Sequence, residues 1–373
     1  MRTPVCDKFG IEFPIFAFSH CRDVVAAVSR AGGLGVLGAL AFTPEELEIE
    51  LAWIDDHCDG KPYGVDLVMP ANYIGKGGVQ PSADELRAMI PQEHWDYTEK
   101  ILSEYGIPPL PEGFDERARA AGLGVDDQAT RAVEVALKHE HVRLLVNALG
   151  PPPKEVVDKA HEHDVLVAAL VGSKRHAEKQ VEIGVDVIVA QGTEAGGHTG
   201  DIATMVLVPE VVDAVGKDVP VLAAGGIGTG RQMAAALALG AQGAWTGSIW
   251  LTVAEADTPA EAQQNILAAD SRATVRSRAM TGKPARQLRT AWTEAWEAEG
   301  APKTLPMPLQ GILYGEMARR VSRAHNKELA GFPVGQIVGR MDRIRPTQEV
   351  VLELVEECIA TVERMCGLID TES

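Results

Sequence analysis

A histidine follows two glycines at the end of an apolar run: Val185-Asp-Val-Ile-Val-Ala-Gln-Gly-Thr-Glu-Ala-Gly-Gly-His198. The run is short and rich in β-branched residues, the pattern of a strand buried on both faces. Consecutive glycines let a backbone come close to a flat ligand or turn through positive φ. A histidine held there stands at the mouth of the strand, and imidazole is the side chain best suited to moving a proton near neutral pH. The spacing alone also fits a glycine turn followed by an exposed histidine.

A second chemical signal lies downstream in Val219-Pro-Val-Leu-Ala-Ala-Gly-Gly-Ile-Gly-Thr-Gly230, followed by the Ala-rich Arg231–Leu239. Next comes Gly240-Ala-Gln-Gly-Ala-Trp-Thr-Gly-Ser248. Strand, glycine turn and helix, then a strand ending in Gly-Ser, are the parts from which many barrel enzymes build a phosphate site. Gly226-Ile-Gly-Thr-Gly230 hints at a dinucleotide fingerprint, but lacks the G-x-G-x-x-G spacing and comes late in the chain.

These turns need a scaffold. Phe13–Ser19, Leu34–Gly38 and Pro62–Met69 read as the first three strands, with helix patterns between them. Thr43-Pro44-Glu45-Glu46 carries the start signals of one such helix: an N-cap threonine, proline at N1 and acids in the first turn. Val142–Ala148 and Val165–Val171 read as the fourth and fifth strands, and the three glycine-ended runs complete eight. The alternation predicts a parallel sheet with right-handed crossovers, and eight units predict an α/β (β/α)₈ TIM barrel. Residues 1–69 and 127–258 would form this barrel. Residues 70–126 are too long for a βα loop and predict a mostly helical insertion over the C-terminal face, with helices near 82–90, 94–105 and 113–121. Residues 259–373 read as a helical C-terminal extension packing on the barrel.

The formal net charge of −18 over 373 residues offers no surplus of basic surface, which argues against nucleic-acid and anionic-membrane partners. The five cysteines have no C-x-x-C spacing, which points to reduced thiols and a cytoplasmic protein, and neither a disulfide framework nor a metal centre is expected. No leader-like apolar segment and no run long enough to span a membrane is visible. The expected partner is a small-molecule substrate, and a homo-oligomer is compatible with the sequence.

The stretches Gln191–His198, Ala224-Gly-Gly-Ile227 and Gly243-Ala-Trp-Thr-Gly-Ser248 together resemble the nitronate monooxygenase, or 2-nitropropane dioxygenase-like, family of flavoproteins. The segment around His198 is also similar to flavin-dependent enoyl-acyl-carrier-protein reductases. The resemblance implies an FMN-dependent oxidoreductase with His198 as the catalytic base. It implies an FMN phosphate held by Gly225, Gly226, Gly247 and Ser248, and a flavin ring and ribityl chain along Gln191, Gly196 and Gly197. Asp66 stands where relatives commonly carry an asparagine that meets the flavin; an acid there can donate a hydrogen bond only when protonated. Gly331-Phe-Pro-Val-Gly-Gln-Ile-Val-Gly339 resembles a C-terminal segment near the flavin, making Gly335 and Gln336 cofactor candidates. His20 and Cys21, after the first strand, depart from the family and are expected to shape the substrate pocket. The implied reaction is oxidation of a nitronate or similar carbon acid, with O₂ reoxidising the flavin. The alternative is an NAD(P)H-linked reductase or dehydrogenase of enoyl or acyl thioesters or quinones.

Overall fold

The computed structural model describes residues 1–67, 81–111 and 125–368. Eight parallel strands close into a barrel: β1 (Ile15–Ser19), β2 (Leu34–Gly38), β3 (Tyr63–Leu67), β4 (Val142–Asn147), β5 (Leu166–Val171), β6 (Val187–Gln191), β8 (Val221–Ala224) and β9 (Gly243–Thr246). β9 returns to β1, with Phe16 opposite Trp245, so no sheet edge is left open. The helices between strands are α2 (Arg22–Arg30), α3 (Pro44–His57), α6 (Val125–Ala136), α7 (Lys154–Glu162), α8 (Lys174–Ile183), α9 (Thr204–Val215) and α10 (Gly230–Ala238). Thr43 caps α3 in a reciprocal capping box with Glu46, as its start signals predict.

Alternation along the strands sorts the side chains. Phe16, Val36, Leu144, Val146, Val189 and Trp245 fill the barrel interior, while Ala17, Leu37, Val65, Leu145 and Ile188 face the helices. Helix α1 (Pro4–Phe9), absent from the sequence expectations, adds Val5, Cys6 and Phe9 to the interior cluster, and Phe9 meets Phe16 edge-on with ring centres 5.3 Å apart.

Within the insertion, α4 (Ala83–Ala88) and α5 (Gln92–Glu104) form close to the expected positions, and the helix expected near 113–121 lies outside the described residues. Leu86, Ile101 and Leu102 pack against Trp292, Leu313 and Met317, so the insertion leans on the C-terminal part of the chain. That part is more than helical. After α11 (Ala260–Ala268) come two strands, β10 (Thr274–Ser277) and β11 (Ala285–Leu288), then α12 (Ala291–Glu297), α13 (Leu309–Ala324) and α14 (Thr347–Cys366). β11 pairs antiparallel with the two-residue strand β7 (Gly197–His198), giving a three-stranded sheet β10–β11–β7 beside the barrel mouth. Single-sequence periodicity cannot see such short strands, and β7 finds its partner only in β11, far along the chain.

The glycines after β8 divide between two tasks. A Cβ on Gly230 would lie 2.3 Å from the backbone nitrogen of Cys358, so this glycine lets α14 approach α10. The dinucleotide-like spacing is therefore a packing feature at its far end.

Candidate active site

A cavity of about 590 Å³ opens at the C-terminal mouth of the barrel, where enzymes of this architecture place their chemistry. Its floor is made by strand ends, including Phe18, Gly38, Asp66, Gln191 and Trp245. One side carries Gly225, Gly226, Gly247 and Ser248; another carries Gly196, Gly197 and His198. The outer wall is apolar and comes from the C-terminal part, with Tyr314, Met317, Val321, Leu329 and Phe332.

At the glycine side the backbone supplies the shape. Gly225 and Gly226 follow β8 with φ of +103° and +71°, a conformation that side chains with a Cβ rarely adopt. The Thr204 hydroxyl at the start of α9 reaches the Gly225 carbonyl oxygen (3.0 Å) and the Glu194 carboxylate (2.9 Å). Glu194 also accepts from the Thr204 backbone N–H at 3.0 Å, which ties the 193–198 turn to α9. Ser248 Oγ accepts the Gly335 N–H at 2.8 Å, so its own hydroxyl proton stays available for an acceptor in the cavity. Two positive-φ glycines and a hydroxyl that can donate suit a phosphate monoester.

His198 is set by different means. Its backbone is held opposite Ala285 in the β7–β11 ladder. Its Nε2 lies 2.7 Å from Thr281 Oγ1. Burial first, and the Lys283 ammonium second, hold the imidazole below the ordinary histidine range, so it is neutral at neutral pH. Two arginines brace the loop that carries it. Buried Arg286 donates to the Thr193 carbonyl oxygen at 2.8 Å, and Arg276 donates to that of Thr199 at 3.1 Å and pairs with Asp201. No role for Thr281 or Arg286 is expected from the sequence. The missing signal was the pairing of β11 with β7.

The other expected residues separate into two groups. Gln191, His20 and Asp66 line the cavity with the glycines and His198. His20 Nδ1 donates to the Gly38 carbonyl oxygen at 2.9 Å, and its ring meets Phe18 edge-on. Asp66 is 4% exposed, and burial drives its carboxyl well above the usual carboxylate range. Cys21 corrects its expectation: it lies outside the cavity lining, packed in the outer core with its thiol on the Glu255 carbonyl oxygen at 3.2 Å. β1 ends at Ser19, and Cys21 is the N-cap of α2, packed with that helix in the outer core. Gln336 is also outside the lining, and its side chain faces solvent. Its backbone N–H instead holds the Glu194 carbonyl oxygen at 2.9 Å, so this segment positions the glycine turn through its main chain.

A family model for nitronate monooxygenase matches residues 2–357. The chain belongs to the nitronate monooxygenase family. It is an oxidoreductase of that family, and its closed eight-stranded barrel is the family fold. It is 53% identical to Rv1533 of Mycobacterium tuberculosis, provisionally named a monooxygenase, over 99% of this chain and 100% of that one. It is 30% identical to a 5-hydroxy-7a-methyl-1-oxo-octahydro-1H-indene-4-carboxyl-CoA dehydrogenase of Rhodococcus jostii, covering 80% of this chain and 69% of that one. The structure of nitroalkane oxidase from Streptomyces ansochromogenes superposes with a TM-score of 0.78 at 25% identity, covering 97% and 99% of the two chains. Among the described residues no helix is long and apolar enough to cross a membrane.

Proposed function

We propose that the chain binds FMN in this cavity and oxidises a nitronate or a similar carbon acid, with O₂ as the final oxidant. The observation that supports this most directly is His198: a neutral imidazole facing the same cavity as a phosphate-shaped glycine cradle. The residues present fit the cofactor. Gly225, Gly226, Gly247 and Ser248 suit the phosphate, the cavity volume lies in the range of cofactor sites, and Gln191 and Asp66 are polar groups on its floor. When bound, FMN supplies the two-electron oxidation chemistry.

The protein's own part is proton chemistry and exclusion of water. With the Thr281 hydroxyl donating to the Lys283 carbonyl oxygen at 3.3 Å, it accepts from His198 Nε2–H. In that tautomer Nδ1 keeps its lone pair and can take a proton from carbon. Buried Arg286 keeps the turn rigid, so the imidazole does not have to be ordered during turnover. The apolar outer wall keeps bulk water away from the reacting carbon.

A second reading, an FMN-dependent dehydrogenase or reductase of acyl thioesters, draws support from the breadth of that apolar wall and from the name of the Rhodococcus relative. The test is anaerobic reduction of the flavin-loaded protein. Bleaching of the flavin absorbance by a nitronate supports oxidation of carbon acids. Bleaching by NADPH and not by a nitronate, with turnover of an enoyl thioester, supports the second reading.

A further inference from the structure

Asp66 sits on the inward face of β3. Two residues earlier, a Cβ on Gly64 would touch Leu144 and Val36 of the barrel interior, while Val65 and Leu67 belong to the outer core. The carboxyl therefore stands on the floor of the cavity that the glycine cradle and His198 also line. Its Oδ1 is buried and has no hydrogen-bond partner among the described residues. A buried ionised carboxylate without partners would be costly, and an orphaned polar atom in a cavity floor calls for a ligand group.

Among the described residues, the neighbouring strands β2 and β4 offer no charge to compensate it. In the strand register Asp66 lies between Gly38 of β2 and Val146 of β4. Gly38 is overlain by Phe18 and His20, and the next β4 residue is the neutral amide Asn147, which donates to the Gly150 carbonyl oxygen. His20, just after β1, is a titratable side chain in the same cavity lining, and its Nδ1 is committed to the Gly38 carbonyl oxygen. Burial alone raises the carboxyl.

We propose that Asp66 meets the bound flavin as a neutral carboxylic acid that donates a hydrogen bond to it, so that cofactor affinity is coupled to one proton. The proposal rests on the FMN reading above. A carboxylic acid does here what an asparagine amide would do, but only while it keeps its proton.

The sign follows from linkage. Burial raises the pKa of Asp66 in the empty protein, and a bound acceptor raises it further. Affinity is then constant below the pKa of the empty protein. It weakens by up to about tenfold per pH unit between that value and the pKa in the complex. Folding of the empty protein obeys the same rule. Asp66 binds its proton more tightly folded than unfolded, so its contribution is full below the ordinary carboxylate range. That contribution is lost as pH rises toward the folded value.

The test is flavin titration of the apoprotein, read by fluorescence quenching, from about pH 5 to about pH 9 for the wild type and Asp66→Asn. Riboflavin is run beside FMN, so that phosphate ionisation drops out. The expected result is a Kd that climbs with pH in the wild type and stays flat in Asp66→Asn, with both flavins. A flat wild-type profile, or parallel slopes in the two proteins, overturns the proposal while leaving the FMN reading intact. Failure of FMN to bind at any pH overturns both. Infrared difference spectroscopy keeps the test sharp if Asp66→Asn does not fold. The wild type should show a protonated-carboxyl C=O band that shifts when FMN is added, and absence of that shift overturns the proposal.

Discussion

The two sides of the cavity are built on opposite principles. The cradle at Gly225–Gly226 and Gly247–Ser248 is backbone, formed where β8 and β9 end, and its geometry comes from local φ angles. The His198 side is a single side chain whose position depends on β11, Thr281 and two arginines from beyond the barrel. One side is suited to an anion through groups that cannot titrate. The other holds a proton acceptor whose basicity is adjusted by burial and a nearby ammonium. Binding and chemistry are thereby separable, and substitutions should affect one without the other.

The largest effect is expected from Gly226→Asp. Its φ of +71° strains any side chain, and a carboxylate beside a phosphate dianion is repelled. Flavin retention after purification should be lost while circular dichroism stays near wild type. Full flavin occupancy in this variant would mean that the phosphate lies elsewhere.

His198→Asn should do the converse. Flavin content should be unchanged, while turnover of a neutral carbon acid falls by roughly 10²–10⁴-fold, the usual range for loss of a general base. The defect should shrink with a pre-ionised nitronate, from which no proton need be taken. Equal losses on both substrates would make His198 an orienting residue.

Arg286→Met tests whether the remote brace matters to the chemistry side alone. It leaves the Thr193 carbonyl oxygen without its 2.8 Å donor, a cost of about 1–3 kcal/mol when that group stays buried. Thermal unfolding should show this loss, and kcat should fall more than flavin affinity does. A fall in flavin affinity alone would place the arginine with the cradle.

The smallest effect is a displaced pH limb. The working form of His198 is neutral, and its pKa lies below the ordinary histidine value of about 6.5. The rate with a neutral carbon acid should therefore rise with pH only in the acid range and be level through neutrality. Lys283→Met removes the secondary cause of the depression, so the limb should move toward higher pH. An unmoved limb would assign the whole shift to burial.

Much of this architecture was legible beforehand. The eight strands stand out because each is a short apolar run closed by a turn signal, and the glycine pairs announce where the chain bends at their ends. His20 and Cys21 show the limit of such reading. Adjacent in sequence just past β1, they separate: His20 lines the cavity, while Cys21 begins α2 in the outer core. Gln336 shows another: the segment was recognised, but its main chain and not its side chain does the positioning. Arg286 and Thr281 carried no signal of their roles, because their partners at Thr193 and His198 lie 93 and 83 residues away.

Sequence alone determined the barrel and the placing of glycines at the ends of β8 and β9, since strand periodicity and backbone freedom are local properties of the chain. It also determined that a histidine follows Gly196-Gly197. Tertiary structure decided what that histidine is: a buried, neutral side chain on a two-residue strand paired with β11, with its Nε2 on Thr281. It decided as well that Asp66 is buried with no partner for its Oδ1 among the described residues, because that burial arises only when β2, β3 and β4 are packed side by side.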